Sequence, residues 1–422
     1  MVAVVTTSTE HPATEDRPAP LGLRRDGLDP DPEVTALREQ DGVCPVTTLA
    51  GHRAELVAGF RDARTVHGDP AFGFEAVPPP PGMTAYVDPE ELLRRRAGML
   101  LAIDPPHHTR LRRMLTGRFT VRAMKALEPR VAAIVDEALE RMTAGGPPAD
   151  LVADFALPVP SLVICELLGV PYADRDEFQE RAARTLESDL TPRERAEVID
   201  ASRAYMSGLV ERARRAPGDD LIGMLIREHG DRPAAEGGID DDELAGLANL
   251  LLVAGHETTS NVIALGTLAV LTDPDQMAAL RAAVAADDPA PLNAAVEEML
   301  RFISPVSAGF PRVAGGDVAV GSHEIPAGTL VTASLCAANR DPALGGGDLE
   351  QLDLTRAPLP HVAFGYGIHH CLGAPLARIE LRIAFSALLR RLPGLALAID
   401  PSAVRYRQDN LIHGVESLPV RW

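Results

Sequence analysis

Aromatic side chains are scarce in this chain of 422 residues: ten Phe, five Tyr and a single Trp. Single-stranded nucleic acid is usually gripped by stacking bases on aromatic platforms, so this scarcity argues against that class. Basic residues are also in deficit, 41 Lys and Arg against 60 Asp and Glu, a formal net charge of −19. Such a field repels phosphate backbones and anionic lipid surfaces, which excludes nucleic acid and membrane as general partners. Cysteine occurs only as Cys44, Cys165, Cys336 and Cys371. No two are close enough for zinc or redox CxxC spacing, and four scattered cysteines make no disulfide framework, so a reducing, cytoplasmic setting is expected. Long apolar runs are missing too. The most apolar stretch, Leu250 to Gly255, stops at His256, far short of a membrane span. Residues 1–20 lack the basic-then-apolar order of a signal peptide, carry Glu10, Glu15 and Asp16, and read as a disordered leader.

What is present is core-forming material, 46% hydrophobic residues arranged mostly with helical spacing. The length would allow about three domains at roughly 150 residues each, yet no linker divides the chain. In Glu128–Met142, Val131, Ile134, Val135 and Leu139 fall on one helical face, and Pro129 suits a first turn. Helices are likewise predicted over Phe155–Gly169, Glu194–Arg215, Asp275–Ala286 and Ala374–Leu392. The strongest prediction is Asp240–Leu271, with acids at its start, an Asp273-Pro274 stop, and apolar residues on nearly all faces of its middle. Such a helix runs through a core. A hairpin over Val318–Ile325 around Gly321, a strand at Thr329–Ser334 and a partly extended tail at Leu411–Trp422 make a minor sheet component. Pro78–Gly82 reads as a stiff polyproline stretch, and Asp341–Pro360 as irregular. The expected body is mainly α with a minor β region.

The richest segment is Phe364-Gly365-Tyr366-Gly367-Ile368-His369-His370-Cys371-Leu372-Gly373. Its three glycines imply backbone conformations closed to other residues, or close approach by something flat or bulky. Cys371 lies just before a predicted helix N-terminus, where amide N–H groups and the helix dipole favour a thiolate. A buried cysteine in a glycine-rich loop is the plainer alternative. A His369/His370/Cys371 zinc site is another, but no further Cys/His cluster completes it.

The pattern Phe364-Gly-x-Gly-x-His369-x-Cys371-x-Gly373 resembles the haem-binding signature of the cytochrome P-450 family, the haem-thiolate monooxygenases. The resemblance implies a single-domain P-450 fold over residues 21–422, with a long central helix over the haem and the cysteine-ligand loop before a C-terminal helix. It implies haem b (iron protoporphyrin IX) as cofactor, Cys371 as the axial iron ligand, Phe364 packed beside the haem, and His369 reaching a propionate. Gly365 and Gly373 belong to the same cofactor-binding loop. Thiolate ligation donates electron density that favours O–O cleavage.

Other motifs agree in order. Glu298-Met299-Leu300-Arg301 resembles the family's ExxR element, which makes Glu298 and Arg301 a structural buried pair. Glu91/Arg94 and Glu211/Arg214 share the spacing, so the motif alone is weak. Cys371 follows Arg301 by about the family's usual separation. Ala254-Gly255-His256-Glu257-Thr258-Thr259 resembles the oxygen-activating motif. There Thr258 would bond back to the Ala254 carbonyl, and with Gly255 open a notch in the helix. The resemblance gives Glu257 and Thr258 the catalytic proton-delivery roles and puts Ala254 at the cofactor. Asp104–Arg113 resembles the opening of the propionate-binding helix, with His108 and Arg112 sharing one face. His107 stands where the family often has an acid. Arg312 matches an arginine that also pairs with a propionate, for which its planar fork is suited.

The resemblance implies a bulky, mostly apolar small-molecule substrate held near Leu250, Val253, Ala254, Val306 and Ile412, with Pro78–Val87, Thr185–Pro192 and Val306–Phe310 as further substrate-facing segments. Macrolide or other polyketide oxidation is the favoured reading, by hydroxylation or epoxidation with O2, as in antibiotic biosynthesis. Steroid and terpenoid substrates are alternatives. Arg94–Arg130 carries ten basic residues and two acids in an otherwise acidic chain, which is read as a docking patch for an acidic ferredoxin supplied by a ferredoxin reductase. A haem-binding sensor or carrier without turnover is the rival class. It would have no use for the Glu257/Thr258 pair.

Overall fold

A computed structural model describes residues 21–79, 81, 87–174, 184, 190–407 and 410–422. Expectations for the leader 1–20 lie outside the described residues, as do parts of those for Pro78–Gly82, Pro78–Val87 and Thr185–Pro192.

The long helix spans Asp241–Thr272, 32 residues. It starts at a capping box: the Asp240 carboxylate accepts the Glu243 N–H at 2.8 Å, and the Glu243 carboxylate accepts the Asp240 N–H. It ends at Asp273, whose side chain caps the next helix, Pro274–Ala285. Around it pack Pro158–Leu168, Pro192–Arg215 and Ala374–Arg391, which explains why its middle is apolar all round. Small residues admit these neighbours. A Cβ on Gly246 would fall 1.8 Å from the Ala97 carbonyl oxygen, and one on Gly266 2.8 Å from the Phe385 ring.

The predicted helix Phe155–Gly169 is divided. A π-turn, Val152–Ala156, precedes the α-helix Pro158–Leu168, because Pro158 has no N–H to continue the preceding ladder. Gly169, at φ +75°, closes it. The other predicted helices appear at Glu128–Ala144, Pro192–Arg215, Pro274–Ala285 and Ala374–Arg391.

The β component is small, as expected. Five strands lie in the lateral order Val43–Thr47, Arg53–Val57, Leu330–Ala333, Arg312–Ala314, Phe72–Gly73. Only the Arg53–Val57/Leu330–Ala333 pair is parallel. The hairpin forms from Val318–Val320 and His323–Ile325, turning at Gly321 with φ +56°. In the tail, Pro419–Arg421 pairs with both Ala396–Leu397 and Ala149–Asp150. Among the described residues no helix is long and apolar enough to cross a membrane.

Candidate functional site

Cys371 sits at the end of a loop held by its own backbone. Its N–H donates to the Phe364 carbonyl at 2.9 Å, and Gly365 and Gly367 take φ of +69° and +74°. A Cβ on Gly367 would also strike the His67 carbonyl oxygen at 2.5 Å, so glycine is needed there twice over. Gly373 is ordinary in conformation. It caps the Ala374–Arg391 helix beside the sulfur, where an added Cβ would make only ordinary contact at 3.9 Å. The amides of Gly373 and Ala374 donate towards the Cys371 sulfur, and Arg112 and Arg378 add positive charge. Burial nevertheless outweighs these contributions and pushes the thiol up from its ordinary value, contrary to the net stabilisation of the thiolate expected from the helix terminus. The donors are in place for a sulfur whose negative charge is shared with a cation.

Beside this loop the structure gathers four cationic or imidazole side chains. His108, from the helix His107–Thr116, is buried with neither ring nitrogen hydrogen-bonded. His369 lies against it, with ring centroids 4.2 Å apart, and its Nδ1 is 3.1 Å from the Leu100 carbonyl oxygen. Arg312 is buried, donates through Nη1 to the His67 carbonyl at 2.9 Å, and leaves Nε unpartnered. Arg112 donates to the His370 carbonyl at 2.5 Å, on the cysteine loop itself. Burial, followed by the neighbouring cations, pushes His369 down to about 3. His108 is lowered for the same reasons, and burial lowers Arg312 to about 10. The nearby acid, Asp104, is already taken by the Phe74 and Glu75 amides at 2.7 and 2.8 Å. Buried donors in surplus over acceptors suit a ligand bearing carboxylates, and with the sulfur at one side the set fits haem and its two propionates.

The long helix contributes the second half. Thr258 Oγ1 donates to the Ala254 carbonyl at 2.8 Å, the back-bond expected. The helix does not open there: Asp241–Thr272 is continuous. Gly255 is small because Ile164 packs on it, within 3.2 Å of where a Cβ would stand. Ala254 is exposed, in contrast to the buried Leu252 and His256 near it. Glu257 is buried, with Oε2 accepting from Arg407 Nη1 at 3.2 Å. Leu250, Val253 and Val306 are partly buried. Ile412 is buried and joined to Val306 by an antiparallel backbone bridge.

Glu298 and Arg301 form a bidentate pair at 2.8 and 2.7 Å, both buried. Arg301 also donates to the Asn339 and Leu349 carbonyls, and Arg356 donates to Glu298 at 3.1 Å. The decoy pair Glu91/Arg94 is a half-exposed surface contact at 2.9 Å, and Arg214 turns to Asp241. His107, unexplained in sequence, pairs with Glu243 at 2.7 Å and so ties its helix to the start of the long one. The basic run is less available than its count implies. Arg94, Arg95, Arg96, Arg110, Arg112, Arg118 and Arg130 all bond acids or carbonyls. Among the described residues Arg113, Arg122 and Lys125 have no ionic partner. Arg356, Arg378 and Arg407 had no signal in sequence, since each acts from an irregular segment or across elements.

Comparison with known proteins shows the family. The family model for Cytochrome P450 matches residues 193–344 and 348–393. The chain is 44% identical to Cytochrome P450 FAS1 of Rhodococcoides fascians, over 96% of this chain and 98% of that one. It is 40% identical to the mycinamicin IV hydroxylase/epoxidase of Micromonospora griseorubida, over 92% and 94%. The crystal structure of CYP105P1 in complex with filipin I superposes with a TM-score of 0.84 at 38% identity, over 96% and 99%.

Proposed function

The chain belongs to the cytochrome P450 family and is a monooxygenase with a haem-iron cofactor; on that premise we propose that it oxidises a bulky apolar secondary metabolite at an unactivated C–H bond. The balanced reaction takes substrate R–H, O2, two electrons and two protons to R–OH and water, with epoxidation as the variant where the substrate offers an alkene. The proposal is for haem b, a catalytic domain over residues 21–422, and a cytoplasmic protein fed electrons from NAD(P)H through ferredoxin reductase and ferredoxin. The observation that carries it is the pairing of an amide-cradled Cys371 sulfur with the buried, under-partnered donors His108 and Arg312.

Haem, when bound, supplies the redox chemistry that activates dioxygen. The chain's residues do the rest. Cys371 would ligate the iron, with Phe364 and Gly365 shaping its loop and Gly373 donating to the sulfur. His108, Arg112, Arg312 and His369 would hold the propionates by charge-assisted hydrogen bonds. Ala254 keeps its stretch of the long helix low enough for close approach. Thr258 holds its hydroxyl against the Ala254 carbonyl, which leaves the oxygen lone pairs free to accept a proton's hydrogen bond. Glu257 moves protons inward to that hydroxyl. Glu298 and Arg301 fix the segments at Asn339 and Leu349.

Leu250, Val253, Ala254 and Val306 make the substrate wall, aliphatic and small, suited to a macrolide or related polyketide skeleton. A relative named for mycinamicin IV oxidation and a neighbour holding filipin I support that choice, and steroids and terpenoids, for which relatives named vitamin D3 dihydroxylase and pentalenic acid synthase stand, are the alternatives. The test is the absorption spectrum of the reduced protein under carbon monoxide. A strongly red-shifted Soret band is expected, lost in Cys371→Ser. A protein that binds no haem overturns the reading. Spin-state titration against macrolides, terpenes and steroids then ranks substrates, and no response to macrolides overturns that part.

A further inference from the structure

We propose that Arg407 is a positioning residue for Glu257, tying the acid to the C-terminal hairpin whose tip carries Ile412. The inference rests on the reading of Glu257 as the residue that moves protons inward. Glu257 is buried on the long helix, and its side chain is almost wholly enclosed while that of Arg407 is 22% exposed. Arg407 Nη1 donates to Glu257 Oε2 at 3.2 Å, and Asn261 Nδ2 reaches the same oxygen at 3.4 Å. The other titratable group within ion-pair distance among the described residues is His256, with Nε2 3.9 Å from Oε1. The carboxylate therefore has one fixed cation, and that cation stands on its solvent side. A buried carboxylate stripped of its partner is strongly destabilised.

The hairpin that carries Arg407 is held tightly against the helix. The Arg407 N–H donates to the Gly414 carbonyl at 2.8 Å, Tyr406 bridges to Val415, and Glu416 N–H donates to the Arg405 carbonyl. Gly414 lies so close to Asn261 that a Cβ there would fall 1.8 Å from its Oδ1. Ile412, on the same hairpin, bridges to Val306 in the substrate wall. One short hairpin thus carries both the residue bridged to the wall and the guanidinium that meets the acid.

The test compares Arg407→Gln, Arg407→Lys, Glu257→Gln and the double Arg407→Gln/Glu257→Gln variant as haem-loaded proteins. Arg407→Gln is expected to divert NADPH to peroxide, with roughly tenfold less product per NADPH, a smaller loss than the roughly 10²–10⁴-fold of removing an acid–base group outright. Its KM should change less than twofold, and Arg407→Lys should recover the coupling. The His256 titration, followed by NMR in the diamagnetic reduced carbonyl form, should move upward once the cation is gone, since Arg407 acts with burial to lower it. Thermal midpoints supply a readout independent of turnover: the double variant should be more stable than Arg407→Gln alone. Additive losses with unchanged His256 titration overturn the proposal. Wild-type coupling in Glu257→Gln overturns the acid's role itself. Uncoupled Glu257→Gln beside fully coupled Arg407→Gln overturns only the role of Arg407.

Discussion

The imidazoles of His108 and His369 stand 4.2 Å apart, tilted by 49°, and neither ring nitrogen of His108 has a partner in the protein. Burial drives both values down first, and repulsion from nearby positive charge, Arg112 and Arg312 at His108 and His108 and Arg312 at His369, lowers them further. A carboxylate between them turns that repulsion into attraction. Arg312→Ala and His108→Ala should therefore release haem to a scavenging protein faster, by about tenfold each if one charge-assisted bond of about 1.5 kcal/mol is lost. The carbon monoxide band should keep its position, because Cys371 is untouched. Unchanged release rates would remove both residues from the propionate set.

Acid should destabilise the protein through buried neutral histidines. His413 is buried, donates to the Gly27 carbonyl at 2.8 Å, and is pushed down to about 3 by burial and by Arg25. Its unfolded value is about 6.5. Stability from this group is fully present above pH 6.5 and is lost as pH falls towards 3, because the unfolded chain takes up a proton that the native one refuses. The loss approaches about 1.4 kcal/mol per pH unit within that window. His413→Gln keeps a donor for Gly27 and should flatten the fall of the thermal midpoint between pH 7 and 5. An equally steep fall would show that His413 does not set it.

Arg301 cannot be replaced cheaply. Both sides of its pair are buried, and its remaining donors hold the Asn339 and Leu349 carbonyls. Arg301→Ala takes both bonds of the bidentate pair from buried Glu298, leaving it Arg356 and the Asp353 N–H, and should cost about 3–5 kcal/mol, read as loss of folded, haem-loaded protein on expression. Arg301→Lys should rescue little, since an ammonium cannot reproduce the bidentate fork. Arg356→Ala, which removes one 3.1 Å bond to Glu298 and more exposed bonds to the Gly346 and Asp348 carbonyls, should cost less.

These contrasts show which parts of the site are legible in a sequence. The Cys371 loop and the Thr258 back-bond are short-range: glycine conformation, helix capping and an i to i−4 hydrogen bond all depend on neighbours a few positions away. The ends of the long helix are legible for the same reason, through the Asp240 capping box and Pro274. Arg356 and Arg407 lie in irregular segments whose placement depends on the whole fold, so no periodicity marks them. Gly255 shows the opposite error. A glycine beside Thr258 reads as a kink, yet its use is steric, to admit Ile164 from another helix. Charge counting failed for a related reason, because a run of arginines says nothing about the distant acids Asp200, Glu228 and Glu166 that neutralise it.

Thr258→Ala separates structure from chemistry. Among the described residues the hydroxyl's only hydrogen bond is to its own helix, so its removal should change stability by no more than about 0.5 kcal/mol. NADPH consumption should continue, with more peroxide and less product, as the proton-holding group is lost. Full coupling in this variant would contradict the role given to Thr258.

The electron donor should dock on a smaller surface than the basic run implies. Arg122 and Lys125 stand on the short helix Val121–Lys125, which packs against the helix following Cys371, and Arg113 stands on the helix that carries Arg112. Val121, next to Arg122 on that helix, is 70% exposed, and Ile368, in the cysteine loop, 51%. Apolar contacts within a charged rim suit a transient acidic partner, with the rim setting the association rate. Reversing Arg113 and Arg122 to Glu should slow reduction by ferredoxin about tenfold at low salt, and the gap should narrow as salt screens the rim. Substrate affinity, read from the spin-state titration, should not change. Arg118→Glu is the control: Arg118 is already neutralised by Glu228, so its reversal should slow reduction less. Equal effects from all three positions would mean that net charge, and not this patch, governs the encounter.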